Sequence, residues 1–298
     1  MFESIREDLK SQWSRPNSGL QQLIMINVAV FLFVRMAEFI VPNFDLFLTF
    51  VAMPTDLATL ITRPWTLITS FFTHYGFSHI LWNMLYLYWF GMILRYHYGS
   101  DRLINLYILG GLVGSVSILA LFNLIPQFES MSGGIALGAS AGVFAVTVAT
   151  ATLVPNQTMH LLFFGPVKIK YIAAVLVVLS FLGLKGNNFG GELAHLSGAL
   201  IGYMYIRNMQ KGVDMGAWIT RFLMFIKSFF VRTPKMKVHY SSPRKKKPQT
   251  STTGTAKSTG KTTPSQAEID AILDKISQSG YESLTKTEKE KLFNASKK

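Results

Sequence analysis

A serine and a histidine stand out as a candidate nucleophile and base. Ser140 lies at the centre of the segment Gly138-Ala-Ser-Ala-Gly142, which matches the G-x-S-x-G turn that presents a hydrolase nucleophile. A serine hydroxyl needs a positioned base, most often histidine, to act as a nucleophile. The segment before Ser140 has a loop-like composition and an apolar helical pattern follows it, so the soluble α/β-hydrolase fold is excluded. The alternative is a close helix contact through Gly138 and Gly142.

The candidate base is His195, which shares one predicted helix face with Gly198 and Gly202. Glycines on that face allow a neighbouring helix to approach the imidazole closely. Phe144 follows Ser140 by four residues and therefore lies on the same helix face, where it can stack on His195 and orient it. The alternative is a histidine at the membrane interface that is hydrated by water.

His79 and Asn83 are also separated by four residues, so both side chains point from one side of a helix. They are placed either for a structural bond between helices or, with the Ser140 backbone N–H, to stabilise a developing oxyanion. His74 lies just before this helix, and we expect it to hold the preceding loop.

A metal site is the competing interpretation of the histidines. Histidine is a common zinc ligand, so His74, His79 and His195 could in principle bind the metal. The sequence has no H-E-x-x-H motif, however, and the carboxylate nearest to His195 is Glu192. The chain contains no Cys, which removes thiolate metal sites and cysteine nucleophiles. We expect neither a metal nor another cofactor.

These residues lie in an apolar chain. Of its 298 residues, 49% are hydrophobic and 15% charged, against about 25% charged in an average soluble protein. Six segments are candidates to span a bilayer, although the last three are short. The predicted fold is therefore an all-α membrane protein, a six-helix bundle with spans at 20–41, 77–96, 103–125, 138–154, 171–184 and 192–206.

The distribution of Lys and Arg predicts the orientation of this bundle. With the N-terminus inside, inside segments carry nine such residues and outside loops two, Arg63 and Lys185. No cleavable signal peptide is recognisable, so the first span is predicted to be an anchor. We expect a multi-pass protein of the cell membrane, the inner membrane in a Gram-negative cell, with both termini in the cytosol.

Outside the spans, composition predicts four further features. The apolar loop 42–76 is typical of an interfacial element, and residues 210–232 of an amphipathic surface helix. The basic tail comprises a flexible linker, 233–266, and a two-helix module, 267–298, in which Thr285 and Glu288 form a capping box. The basic residues 244–247 are suited to binding anionic lipid, and we do not expect nucleic acid as a partner.

From residue 20 to 209 the sequence resembles the rhomboid family of intramembrane serine proteases. Three blocks carry the resemblance, those around His74, His79 and Asn83, around Gly138-Ala-Ser140, and around His195 with Gly198 and Gly202. The resemblance implies Ser140 as nucleophile, His195 as base, and His79, Asn83 and the Ser140 amide as the oxyanion hole. It also implies single-span membrane proteins as substrates, preferably cut at small residues.

Three positions depart from the family pattern. The first loop has Arg63-Pro64-Trp65 where the family often has Trp-Arg. Arg95 replaces the usual glutamate before Gly99, and the serine motif has an alanine after Ser140.

Two other classes of protein are weighed against the protease. One is a non-catalytic rhomboid-like protein that binds transmembrane helices, and the other is a transporter, which the lack of paired, broken helices disfavours.

Overall fold

The computed structural model of the chain describes residues 11, 13, 17–131, 133–161, 165–230 and 265–296. The chain divides into two compact units, Met1–Pro234 and Lys235–Lys298. The predicted linker at 233–266, with its basic residues 244–247, lies almost entirely outside the described residues, as does most of the predicted N-terminal segment 1–19.

The first unit begins with a long apolar helix and a folded loop. Helix α1 spans Gly19–Ile40. The following loop contains α2 (Phe44–Leu48), strand β1 (Met53–Pro54), α3 (Leu57–Thr62), α4 (Thr66–Thr69) and a 3₁₀ turn at Ser70–Phe72. Arg63 and Trp65 stabilise this loop because they donate to the carbonyls of Thr49 (3.1 Å) and Phe50 (2.9 Å). Arg63 also lies over the Phe50 ring.

The second and third predicted spans are two helical arms, labelled together α5 (Phe77–Leu124), that are separated by a break at Gly99. Gly99 has a φ of 82°, a conformation that glycine adopts without a steric penalty. Asn17 Oδ1 accepts the Ser100 N–H (2.7 Å), and Ser100 Oγ accepts the Gly19 N–H (2.9 Å). These two bonds cap the second arm of α5, residues 100–124, and the start of α1. The expectation of two separate helices agrees with this break.

Three further helices complete the bundle: α6 (Ser140–Leu153), α7 (Ile169–Gly183) and α8 (Phe189–Met209). Their bounds lie within three residues of the predicted spans. The buried core is formed mainly by α5, α6 and α8, with Leu87, Phe90, Leu106 and Tyr107 of α5 fully buried against α6 and α8. Gly138 precedes α6, so of the two glycines of the alternative helix contact only Gly142 lies on that helix, where it packs against the Tyr107 carbonyl.

Two small antiparallel sheets correct the all-α prediction. β1 pairs with β2 (Ile135–Ala136), which immediately precedes the serine segment. β3 (Thr158–Leu161) pairs with β4 (Gly165–Lys168) between α6 and α7. The first pairing brings a strand in front of α6, where composition predicted only a loop, because backbone groups buried beside the first loop require partners.

The apolar surface identifies a membrane protein. Two helices, α1 and α5, are long and apolar enough to cross a bilayer, while α6 and α7 are shorter apolar helices. Large apolar side chains are exposed along α1 and α7, among them Phe33, Phe39, Val178 and Phe181. An exposed apolar surface of this extent is typical of contact with lipid.

After α8, the chain forms α9 (Ala217–Phe230), which begins against the second arm of α5. Asn105 and Thr220 exchange hydrogen bonds of 2.7 and 3.0 Å, and Arg102 pairs with Asp214 at 3.3 Å. The rest of α9 exposes six or more large apolar side chains around Arg221 and Lys227, which is the pattern of the predicted amphipathic helix.

The second unit is a pair of short helices. α10 (Gln266–Ser279) and α11 (Lys286–Ala295) flank a 3₁₀ turn at Tyr281–Ser283. The capping box predicted at Thr285 and Glu288 is present. Ile272 and Leu284 are the buried apolar residues of the unit, and Lys275 pairs with Glu288 at 3.0 Å.

Candidate active site

Ser140 is the first residue of α6, so its backbone N–H lies at the open amino end of that helix. The preceding turn is shaped by Gly138, whose φ of 121° is accessible chiefly to glycine. The Gly138 N–H donates to the Ser70 carbonyl (2.9 Å), which fixes the turn to the end of the first loop. The serine is half-buried at the junction of strand β2 and α6.

His79 packs directly against this turn. A Cβ atom placed on Gly138 would lie 2.7 and 2.8 Å from two atoms of the His79 ring, closer than real contacts allow, and 3.8 Å from Ser140 Oγ. The glycine therefore permits the His79 imidazole to lie beside the serine. His79 is in the first turn of α5, and Asn83 follows one turn later with its amide donating to the His79 carbonyl (2.8 Å). An amide group carries a second N–H.

His74 supports both neighbours from the end of the first loop. It is fully buried, its Nδ1–H donates to the Phe72 carbonyl (3.3 Å), and its Nε2 accepts the Ala139 N–H (3.4 Å). Its ring meets the His79 ring edge-on at 5.1 Å between centroids. Burial, and to a smaller extent the neighbouring His79, lower the pKa of His74 to about 4. A neutral ring can accept and donate at once, which suits this structural position.

The close approach of α8 to α6 brings His195 beside Phe144, which follows Ser140 by one helical turn. Gly198 and Gly202 lie against the backbone carbonyls of Ala141 and Ala145, where a Cβ atom would overlap them. The His195 ring stacks on Phe144 with 4.4 Å between centroids and 5° between planes. The face of the imidazole is thereby held by a side chain one helical turn after Ser140.

One cavity of about 830 Å³ unites the predicted chemical groups. Ser140, His195, His79, Asn83 and Phe144 all line it, and so does Gly138. The side chain of His195 retains 17% exposure. Gly198, Gly202 and His74 are not lining residues but pack behind it. Apolar residues, among them Trp82 and Leu176, also line the cavity.

Sequence reasoning missed two partners of His195. Its Nδ1 lies 3.1 Å from Glu192 Oε2 and 3.1 Å from Ser180 Oγ. Glu192 was named from the sequence as the carboxylate nearest to His195, but it was assigned no part in orienting the base. Glu192 precedes His195 by three residues on α8, a spacing at which side chains meet, so the sequence did hold this signal. Ser180 belongs to α7, and only the packing of α7 on α8 reveals it.

These groups are suited to acyl transfer by a serine nucleophile. With Nδ1 directed at Glu192, the other ring nitrogen of His195, Nε2, is directed away from that carboxylate and is the one available as a base. The amino end of α6 favours negative charge near the Ser140 amide. His79 and Asn83 add polar hydrogens on the same side of the cavity. Within the described residues no group of three or more metal-binding side chains is found.

The fold and cavity define a helical membrane protein with a serine–histidine site. Residues 62–211, half of the chain, match the family described as "Rhomboid domain". The chain belongs to the rhomboid family. Residues 261–298 match a separate family of unknown function (DUF6576), so sequences similar to the second unit occur in other proteins.

Relatives include organellar rhomboid proteins. The chain is 32% identical over 157 residues to RHOMBOID-like protein 12, mitochondrial, of Arabidopsis thaliana, covering 49% of this chain and 47% of that protein. It is 29% identical over 219 residues to Rhomboid-like protein 16, chloroplastic, of the same plant, covering 68% and 66%. Rhomboid protein 1, mitochondrial, of Saccharomyces cerevisiae is 30% identical over 52% of this chain and 44% of its own length. Each alignment thus spans less than two thirds of the relative.

Proposed function

We propose that this protein is an intramembrane serine endopeptidase that cleaves transmembrane segments of other membrane proteins. The observation that carries the proposal is the single cavity lined by Ser140 and His195, with Phe144 stacked on the imidazole. Family membership supports the same class of reaction. The resemblance to the rhomboid family implies single-span substrates with small residues at the cut.

The reaction follows from the placement of the groups. Ser140 Oγ attacks the scissile carbonyl carbon while His195 Nε2 takes the hydroxyl proton. The carbonyl oxygen becomes an oxyanion, which the Ser140 amide, His79 and Asn83 stabilise. His195 then returns the proton to the leaving amine, and a water molecule activated by the same nitrogen hydrolyses the acyl-enzyme.

The proposed setting is a bilayer crossed six times. In this arrangement the two arms of α5 cross separately, and α1, α6, α7 and α8 supply the other spans, with both termini in the cytosol. The loop around α2–α4 lies in the outer interface of a cell membrane, and α9 and the basic tail contact anionic lipid on the inner surface. The site then opens towards the outer side.

Cleavage of a defined substrate tests the function. Full-length protein in detergent is incubated with a single-span test protein that carries small residues in its outer half. Wild type is expected to release two fragments, and Ser140→Ala none. Ser197→Ala is the matched control, because its hydroxyl donates only to the Leu193 carbonyl of its own helix (2.8 Å). Cleavage by Ser140→Ala at the wild-type rate overturns the proposal, and stable substrate binding without cleavage by wild type identifies the non-catalytic alternative.

A further inference from the structure

The imidazole of His195 has two partners on its Nδ1 nitrogen. Glu192 Oε2 and Ser180 Oγ each lie 3.1 Å from Nδ1. Glu192 and His195 are one turn apart on α8, whereas Ser180 is on α7 and is buried to 4% exposure. The base is thus held from two helices, in addition to its stacking on Phe144.

The position of the Glu192 carboxylate depends on Gly183. A Cβ atom at residue 183 would lie 2.9 Å from Glu192 Cδ and 3.0 Å from its Cγ, too close for a side chain to be tolerated without displacement. Ser180 and Gly183 are three residues apart on α7 and so present one face to α8. Glu192 also lies in the first turn of α8, where the helix dipole favours an ionised carboxylate.

An ionised carboxylate decides where the imidazole proton lies. It can only accept a hydrogen bond, so the contact with Glu192 requires that Nδ1 carry hydrogen and leaves the lone pair on Nε2. A serine hydroxyl does not discriminate, because it donates as readily as it accepts. If Ser180 were the sole partner, its hydroxyl could donate to Nδ1 and place the proton on Nε2, which would disable the base.

We propose that Glu192 is a positioning residue that converts the Ser140–His195 pair into a Ser140–His195–Glu192 triad. This inference rests on the proposed protease function. Glu192 selects the Nδ1–H tautomer and stabilises the imidazolium that forms when Nε2 takes the Ser140 proton. The Nδ1 proton stays on His195 throughout, so the only proton that moves is the one exchanged between Ser140, His195 and the leaving amine.

Kinetics of the isosteric variant Glu192→Gln measure the effect. We expect kcat for the test substrate to fall by up to about 10⁴-fold with KM within about twofold, since loss of the orienting carboxylate in other serine proteases has an effect of that size. Asp45→Asn removes an exposed carboxylate from α2 and is the matched control. Ser180→Ala should lower kcat by less than about threefold, because the carboxylate still fixes the tautomer. A Glu192→Gln protein with the kcat of Asp45→Asn overturns the inference.

The tautomer can be read without any catalysis. Wild-type protein labelled with ¹⁵N-histidine is expected to show His195 as the Nδ1–H form, with the His195 signals identified by their loss in His195→Asn. Glu192→Gln should convert part or all of that population to Nε2–H. A wild-type His195 found as Nε2–H contradicts the triad. Because this measurement needs no substrate and no cleavage, it separates failure of the triad from failure of the protease function.

Discussion

The phenyl ring of Phe144 lies parallel to the imidazole of His195, with 4.4 Å between centroids. Phe144 is on α6 and His195 on α8, so this stack joins the helix of the candidate nucleophile to the helix of the candidate base. Aromatic pairs of this kind contribute about 0.5–1.5 kcal/mol beyond their buried area. The stack fixes the plane of the imidazole, and the bonds at Nδ1 fix its rotation within that plane.

Phe144→Ala is therefore expected to lower kcat by about 3- to 10-fold, the equivalent of the stacking energy, because the imidazole loses its fixed plane. Phe144→Tyr retains the ring and should keep most of the activity. The measurement is steady-state cleavage of the test substrate, with Phe225→Ala on α9 as the control for loss of a phenyl group. Equal rates for Phe144→Ala and Phe225→Ala would show that the stack does not orient the base.

Gly198→Ala should separate α8 from α6. The added Cβ overlaps the Ala141 carbonyl, and overpacking of this kind costs typically about 1–3 kcal/mol. We expect a lower thermal unfolding temperature in detergent and a loss of cleavage. Gly134→Ala is the control, since the atom nearest to its added Cβ, Thr55 Oγ1, lies 3.9 Å away. An unchanged unfolding temperature for Gly198→Ala argues against the close helix contact.

His74→Ala is expected to destabilise the protein by about 1–3 kcal/mol, because it leaves the buried Ala139 N–H without its acceptor. Cleavage should fall but persist, since His74 does not line the cavity. Thermal unfolding and cleavage assays on the same preparation measure both effects. His97→Ala, an exposed histidine on α5, is the control, and complete loss of cleavage by a folded His74→Ala protein would assign it a direct role.

Deletion of residues 241–298 should leave cleavage of the simple test substrate unchanged. Every residue that lines the cavity lies between Thr55 and His195, and the deleted residues belong to the other compact unit. The comparison is of kcat and KM for truncated and full-length protein in the same detergent. Loss of activity in a truncated protein that unfolds at the normal temperature would implicate the second unit in catalysis.

The second unit should lose helical structure in acid. The Thr285 backbone N–H, followed by Lys275 and the Thr285 hydroxyl, lowers the pKa of Glu288 from 4.5 to about 2. A lowered carboxyl pKa contributes stability above pH 4.5 that is lost as pH falls towards 2. Amide NMR signals of residues 286–295 in the full chain should report this change. Glu288→Gln should reduce its pH dependence to the part that Glu268 contributes, because a hydrogen bond from Lys291 lowers the pKa of that carboxyl as well, whereas Glu290→Gln should leave the pH dependence unchanged.

The sequence predicted much of the helical framework and the residues of the cavity. Apolar runs located α1 and α6–α8 to within three residues, and helical spacing placed Phe144 near His195. The second and third predicted spans are separated in the structure by the break at Gly99. The bonds that tie this break to Asn17 and Gly19 join residues distant in sequence, which local patterns do not reveal.

Other features could not be predicted for the same physical reason. Strands β1–β4 contain two to four residues each, too few for an alternating pattern to be recognised. The bond from Ser180 to His195 depends on how α7 packs on α8. Glu192 is different, since its spacing of three residues from His195 on a helix was visible in the sequence.

Reaction with a fluorophosphonate tests the central claim, that Ser140 is a nucleophile activated by His195. In folded wild-type protein the account predicts one adduct, located by peptide mass spectrometry on the peptide that contains Ser140. The adduct should be absent in Ser140→Ala, and its rate of formation should fall by at least about 100-fold in His195→Ala, as expected when the base of a serine nucleophile is lost. A folded wild-type protein that stays unlabelled, or carries the label on another serine, would contradict the account.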